Sequence, residues 1–330
     1  MNIFEGKVIL VTGGCGSIGS EIVRQLLRCS PSRVRVLDND ESGHWRLSQE
    51  LDTPILRNLV GDVRDRDRVA RAMEGVDIVF HAAALKHVPL CEYNPFEAVS
   101  TNVVGTQNVI DAAISHGVKK FIGISTDKAV NPINTMGATK LLSERLIVNA
   151  PIGLSGIEVA CVRFGNVLGS VGSVIPMFRQ QISKGGPITI TTADMTRFFM
   201  TIPQAVALTL ATAERMVGHE VFVLKMDVAR ILDIAEVMIA EVAPQYGLRP
   251  EDIQIEYIGK RAGEKIHEYL FTEDEAPHIT VMDDMFVIRS SPFDPLKVEN
   301  DNYEEIMEMG MGRLIDKAEI KTILTNCGLL

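Results

Sequence analysis

Short apolar runs recur along the first half of the chain, at Val8 to Val11, Val34 to Leu37, Val76 to Phe80, Phe121 to Ile124 and Val159 to Val162. They are brief and often β-branched, as strands buried on both faces of a sheet are. Between them lie helical patterns. One runs from Ser17 to Arg28, with Ile18, Ile22 and Leu26 at i, i+4 spacing; another runs from Asn102 to His116, with Val103, Val104, Val109, Ile110 and Ala113 on its apolar positions. Strands alternating with helices predict an α/β fold with a doubly wound parallel sheet. After about Arg163 the texture changes. Gly165, Gly169, Gly172, Pro176, Gly185, Gly186 and Pro187 cluster there, and the later run Val221 to Leu224 reads as a strand returning to the first sheet. The tail from about Asn302 to Leu330 reads as one or two helical segments.

The first apolar run leads into Thr12-Gly13-Gly14-Cys15-Gly16-Ser17-Ile18-Gly19, with Gly13, Gly16 and Gly19 three residues apart. One glycine turns the chain, one lets backbone approach a pyrophosphate, and one lets helix pack on strand. The pyrophosphate then meets the free N–H groups opening the helix at Ser17 and Ile18. Asp38 ends the second strand, 19 residues beyond Gly19. That is the place of an acidic residue that binds a ribose 2′-hydroxyl, so NAD is the expected cofactor. Asn39 stands where an Arg would accommodate a 2′-phosphate, while Arg35 and Arg46 keep NADP possible. Asp62 and Val63, after the third strand, are expected at the adenine edge.

These features predict a Rossmann-type doubly wound parallel sheet with a smaller, interleaved C-terminal substrate lobe. Residues 1–165, with about 198–228, are expected to form the dinucleotide-binding part. Residues 166–197 and about 229–330 are expected to form the lobe.

Composition narrows the partners. The 330 residues carry a formal charge of −10, so attraction to a phosphate backbone is not available and nucleic acid is not expected. Hydrophobic residues make up 46% and charged residues 23%, which allows a sizeable core. The five cysteines, Cys15, Cys29, Cys91, Cys161 and Cys327, show no metal or CxxC spacing and suit a reducing, cytoplasmic setting. Glu5 and Lys7 interrupt the lead into the first strand, so no secretion signal is read there. No stretch reaches the ~18 to 20 apolar residues of a membrane span. The histidines are scattered, and no metal site is expected.

Further blocks give the sequence a family likeness. His81-Ala82-Ala83-Ala84 follows the fourth strand, then Leu85-Lys86-His87-Val88-Pro89. Ser125-Thr126-Asp127-Lys128-Ala129-Val130-Asn131-Pro132 precedes Met136-Gly137-Ala138-Thr139-Lys140. Arg163-Phe164-Gly165-Asn166-Val167, Met195-Thr196-Arg197-Phe198 and Arg261-Ala262-Gly263-Glu264-Lys265 come later. Together they resemble the UDP-N-acetylglucosamine 4,6-dehydratases, the capsule-type branch of the extended short-chain dehydrogenase/reductases in surface-glycan synthesis. The resemblance runs from about residue 5 to residue 270. Met136 stands where the wider superfamily has the Tyr of a YxxxK pair, as in that branch, and a thioether has no proton to exchange.

The resemblance implies an internal redox cycle on a UDP-N-acetyl-hexosamine: oxidation at C4, loss of water across C5 and C6, and reduction at C6. Such dehydratases invert or retain C5, and the short chain without a membrane span favours inversion. It implies Lys128 as the C5 base and Asp127 as the acid for the C6 hydroxyl. Thr126 or Lys128 would receive the 4-hydroxyl proton. Lys140 would hold the nicotinamide ribose, with Ala82, Ala84, Lys86 and Asn102 as further cofactor contacts. Ser125, Met136, Asn166, Arg197, Arg261, Glu264 and again Lys86 would contact the substrate, the arginines facing its diphosphate. His81 reads as a packed core histidine. Homo-oligomers are usual among such enzymes. Two other readings stay open: a UDP-sugar 4-epimerase on the same fold, and a non-catalytic dinucleotide-binding sensor.

Overall fold

The structure is a computed structural model, describing residues 2–150, 156–170, 172–289, 291 and 299–330. Strands β1 (Val8–Thr12), β2 (Arg33–Asp38), β3 (Leu56–Val60), β4 (Ile78–His81), β5 (Lys120–Thr126) and β6 (Glu158–Phe164) occupy the first half. Helices α1 (Ser17–Leu27), α2 (Glu41–Leu51), α3 (Arg66–Met73), α4 (Val88–Tyr93), α5 (Pro95–Val99), α6 (Gly105–Ser115) and α7 (Thr135–Val148) connect them. Side-chain caps mark several helix starts. Asp40, Asp65 and Asn134 accept from backbone N–H groups of α2, α3 and α7, so each boundary is written in a short polar side chain.

The second half adds β7 (Asn166–Leu168), α8 (Val174–Ser183), β8 (Ile188–Ile190), β9 (Thr196–Thr201), α9 (Ile202–Arg215), β10 (Glu220–Leu224), β11 (Asp227–Arg230) and α10 (Ile231–Val242). Then come β12 (Ile255–Tyr257), β13 (Ile279–Val281), β14 (Met285–Ile288), α11 (Tyr303–Gly310) and α12 (Lys317–Asn326). The large sheet has the order β13-β14-β10-β6-β5-β4-β1-β2-β3. From β3 to β10 every pairing is parallel, and the chain reverses direction of travel between β1 and β4. That switch point is where such a sheet opens a crevice at its carboxyl edge. The expected doubly wound α/β sheet is therefore present.

One expected boundary needs correction. Residues 279–288 were expected in the lobe, yet β14 pairs antiparallel with β10 and extends the large sheet. Met285, Phe286, Val287 and Ile288 are all buried, so this edge is a hydrophobic hairpin without the helix crossover that betrays parallel strands. Conversely, β9 and β11 straddle the two ends of the stretch expected in the large domain, about 198–228, but join β7 in a separate three-stranded sheet. That sheet divides two cores by the period-two alternation of strands. Phe198, Met200 and Val228 face the core of the large sheet, while Leu168, Phe199 and Ala229 face a second core under α8, α10 and α12. No helix among the described residues is long and apolar enough to cross a membrane.

Candidate functional site

The glycine loop behaves as its spacing demands. Gly13 has a φ of 67°, and a Cβ there would stand 2.6 Å from the Ala83 backbone. A Cβ on Gly19 would collide with the Gly13 carbonyl, so the start of α1 lies directly on the loop. Gly16 is the N-cap of α1 and no side chain caps it. A helix N-terminus begun by a glycine lets an anion approach its backbone closely. This one opens into a cleft whose walls include Gly13, Gly16, Asp38, Asp62, Val63, Ala82 and Ala84. Ser17, Ile18 and Gly19 lie behind it on the first turn. These residues fit a dinucleotide.

The acidic rim is more engaged than the sequence suggested. Asp38 accepts from the Cys15 amide at 2.9 Å and the Asp40 amide at 3.0 Å, which fixes its carboxylate at the end of β2. Asp62 accepts from Arg64 and Asn39, and the Arg64 hydrogen bonds hold its carboxyl below the usual range. Arg64 also donates to Glu97 at 2.7 Å and lines the cleft; the sequence reading missed it. Neither arginine weighed for a 2′-phosphate hydrogen-bonds Asp38. Arg35 donates to the carbonyls of Ala72 and Glu74, and Arg46 to Asp40.

Two buried polar groups brace the floor. His81 is held between the hydroxyls of Thr12 at 2.7 Å and Thr106 at 2.9 Å. Burial first, then the nearby Lys140, hold its pKa down to about 3, so it is a neutral packed histidine. Asn102, expected to touch the cofactor, is 1% exposed and belongs to a π-helical turn (Ser100–Val104). Its amide accepts from Leu85 N and donates to Leu85 O and Thr139, so it clamps the loop after β4 and does not face the cleft. An Asn spends both ends of its amide this way, which a turn with an extra residue accommodates.

The chemistry-bearing block lies at the carboxyl end of β5. The Lys128 ammonium donates to Asp127 Oδ1 at 2.9 Å and to Asn166 Oδ1 at 3.0 Å. The Thr126 hydroxyl donates to the same Asp127 oxygen at 2.9 Å. Thus Thr126, Asp127, Lys128 and Asn166 are brought together. Lys140 lies one layer below, donating to the Ile124 carbonyl at 2.6 Å, and its pKa is lowered mainly by burial. Lys86 follows Leu85, which lines the cleft, and desolvation lowers its pKa.

Three expected substrate contacts take other places. Met136 is 3% exposed and packs on Cys91 and Ala98, because an apolar thioether is more stable under α4 and α5 than in a polar cleft. Ser125 is buried and donates to Glu144 at 2.7 Å. The Arg197 guanidinium is buried and donates to the carbonyls of Thr196, Lys265 and Ile266, so it ties β9 to the 261–268 segment. Arg261 remains exposed, and Glu264 accepts from Thr191 at 3.3 Å. That segment also brings in two residues to which no role had been assigned. Lys265 donates to Val130 O at 2.6 Å, and Glu268 is buried beside Lys265, Asp127, Lys128 and Arg197.

The polysaccharide biosynthesis protein family matches residues 9–290. A Methanocaldococcus jannaschii protein named an uncharacterized membrane protein is 52% identical, covering 100% of this chain and 98% of its own. The inverting UDP-N-acetylglucosamine 4,6-dehydratase of Campylobacter jejuni is 42% identical over 84% of this chain and 81% of its own. A UDP-glucose 4-epimerase of Rickettsia rickettsii is also 42% identical, covering 83% and 80%. Among solved structures, Pen from Bacillus thuringiensis shares 44% identity with a TM-score of 0.92 over 99% of both chains. The dTDP-glucose 4,6-dehydratase DesIV of Streptomyces venezuelae, solved with NAD, shares 25% identity with a TM-score of 0.69 over 78% of this chain and 86% of its own.

Proposed function

The chain belongs to the polysaccharide biosynthesis protein family, and we propose that it is a UDP-N-acetylglucosamine 4,6-dehydratase that uses NAD. The observation that carries this reading is the Thr126–Asp127–Lys128 cluster, with all three side chains joined through Asp127 Oδ1. An elimination needs one group to take a proton and one to give one, within a hydrogen bond of the reacting atoms.

When bound, a nicotinamide dinucleotide supplies the oxidation at C4 and the reduction at C6. The protein's own part is the movement of protons. Thr126 relays the 4-hydroxyl proton toward Asp127, which its hydroxyl already reaches. Lys128 takes the C5 proton and Asp127 protonates the leaving C6 oxygen. Elimination therefore ends with an ammonium beside a carboxylate. That is the Lys128–Asp127 ion pair of this structure. As C6 is reduced, the ammonium supplies the proton that C5 regains, directly or through solvent, which leaves a neutral lysine beside a carboxylate ready for the next 4-hydroxyl proton. Met136, sequestered in apolar packing, takes no part. Arg261 and Glu264 serve the UDP end, and Arg197 positions the segment that carries them.

Asp38, whose carboxylate is fixed by two amides at the end of β2, supports NAD over NADP. The five cysteines are all free, which suits a cytoplasmic setting. The product would feed surface-glycan synthesis, with inversion at C5 as in the Campylobacter relative. A homo-oligomer would use the face where Tyr93 and Phe96 are 85% and 76% exposed.

The test is incubation with UDP-N-acetylglucosamine in D2O, with NAD or NADP, followed by proton NMR. A new C6 methyl signal with deuterium at C5, lost in Lys128→Ala, is expected, and ring couplings report the C5 configuration. Formation of UDP-N-acetylgalactosamine without ring deuterium would replace this reading with the epimerase one.

A further inference from the structure

Two buried carboxyl oxygens near the proton-transfer cluster lack a hydrogen-bond partner: Asp127 Oδ2 and Glu268 Oε2. Asp127 is fully buried and Glu268 is 7% exposed. The charged groups around Glu268 come from three segments: Lys265 from its own, Asp127 and Lys128 from the loop after β5, and Arg197 from β9. None of the cations satisfies the Glu268 oxygen. Lys128 donates to Asp127 and Asn166, Lys265 to Val130 O, and Arg197 to three carbonyls. Lys265 Nζ approaches Glu268 Oε2 only to 3.5 Å.

A buried acceptor left unsatisfied costs about 1–3 kcal/mol, and more when charged. Two neighbouring buried carboxylates also repel, which favours one of them keeping its proton. A single proton answers both problems, since a neutral carboxyl group has a donor and a carboxylate has only acceptors. Asp127 is the one to stay ionised, because Lys128 and Thr126 both donate to its Oδ1. Glu268 Oε2 has only the 3.5 Å approach of Lys265, whose ammonium donates to Val130 O, and burial pushes its carboxyl up against Lys128, Arg197 and Lys265, with the Asp127 charge adding to the rise.

We propose that Glu268 is a positioning residue that is protonated at neutral pH and donates to Asp127 Oδ2. The assignment of a role in turnover rests on the dehydratase reading; the shared proton does not. Asp127 is then held on both oxygens: Oδ1 by Thr126 and Lys128, Oδ2 by Glu268. Its carboxylate keeps one orientation while its proton comes and goes, and the 265–268 segment is tied to the reacting edge of β5.

Infrared difference spectroscopy of the full chain without substrate, wild type against Glu268→Gln, tests the protonation. A carbonyl stretch of a protonated carboxyl group, shifted in D2O and missing from the variant, is expected at pH 7. Its absence from the wild type overturns the proposal. The second arm is the pH profile of turnover. Wild type loses activity as alkali removes the Glu268 proton; Glu268→Gln, which keeps an N–H donor, loses that alkaline limb and is slowed less than Glu268→Ala. An unchanged alkaline limb in Glu268→Gln also overturns it. The band present without any turnover supports the shared proton and removes the dehydratase reading instead.

Discussion

Arg163 on β6 is 1% exposed and joins two buried carboxylates in one ion-pair network. Its guanidinium donates to Glu144 of α7 at 2.5 and 3.3 Å, to both Glu275 oxygens at 3.0 Å, and to the Leu270 carbonyl at 2.9 Å. Burial alone would raise the Glu275 carboxyl, but Arg163 outweighs it and holds it below the usual range. Replacing Arg163 with Met leaves two buried carboxylates without their shared cation. Breaking a buried ion pair from one side costs about 3–5 kcal/mol, against a total stability of about 5–15 kcal/mol. Urea unfolding followed by far-ultraviolet circular dichroism measures the loss, because the lone Trp45 is 67% exposed and reports poorly on the core. The sign with pH is fixed by Glu275. Its folded pKa is depressed, so the stability it lends is full above the unfolded value and fades as pH falls through the folded one. The gap between wild type and Arg163→Met therefore narrows with acidification. Adding Glu144→Gln and Glu275→Gln to Arg163→Met recovers part of the loss at pH 7. A single-variant loss under about 1 kcal/mol would refute the uncompensated-charge account, which requires a loss about three times as large.

Two further outcomes are expected. The His81 pKa of about 3 lies below its unfolded value, so its contribution is complete above pH ~6.5 and is lost as pH falls toward 3; between pH 6.5 and 5 that is roughly 2 kcal/mol. Urea midpoints of His81→Asn should fall less steeply over that interval, and parallel slopes would sink the idea. Phe96→Asp, on the exposed apolar face of α5, should lower the mass seen by light scattering after size exclusion if that face joins two copies, and an unchanged assembled mass would locate the contact elsewhere.

The large sheet was legible because parallel strands buried on both faces leave unbroken β-branched runs. Val8 to Val11, Phe121 to Ile124 and Val159 to Val162 all fall inside observed strands. What stayed hidden had a different physical signature. β3 reads Leu-Arg-Asn-Leu-Val and is an edge strand, so the exposed Arg57 and Asn58 break its apolar run. β9 alternates between two cores, so Phe198, Phe199 and Met200 read as a continuous apolar stretch although they face opposite ways. Nothing in the period of such a stretch says which sheet it joins, and the lobe boundary was drawn wrongly there.

The site divides along a similar line. Backbone-driven features were visible, since only glycine tolerates the Gly13 and Gly19 contacts and the residue type announces the geometry. Side-chain roles were less so, because a polar residue in a motif looks the same whether it faces a ligand or braces the loop that does. Asn102, Ser125 and Arg197 each spend their polar atoms on the protein itself. Glu268 is the converse case. It lies 141 residues from Asp127 in a segment read as a nucleotide clamp, and the only sequence sign was a Lys three residues before it. Its importance arises from what is missing around it, a hydrogen-bond donor, and a missing partner exists only once the fold has brought β5, β9 and the 265–268 segment together. A buried carboxyl group whose nearest ammonium is spent on another acceptor keeps its proton more readily than one with donors of its own, and that inference belongs to packing alone.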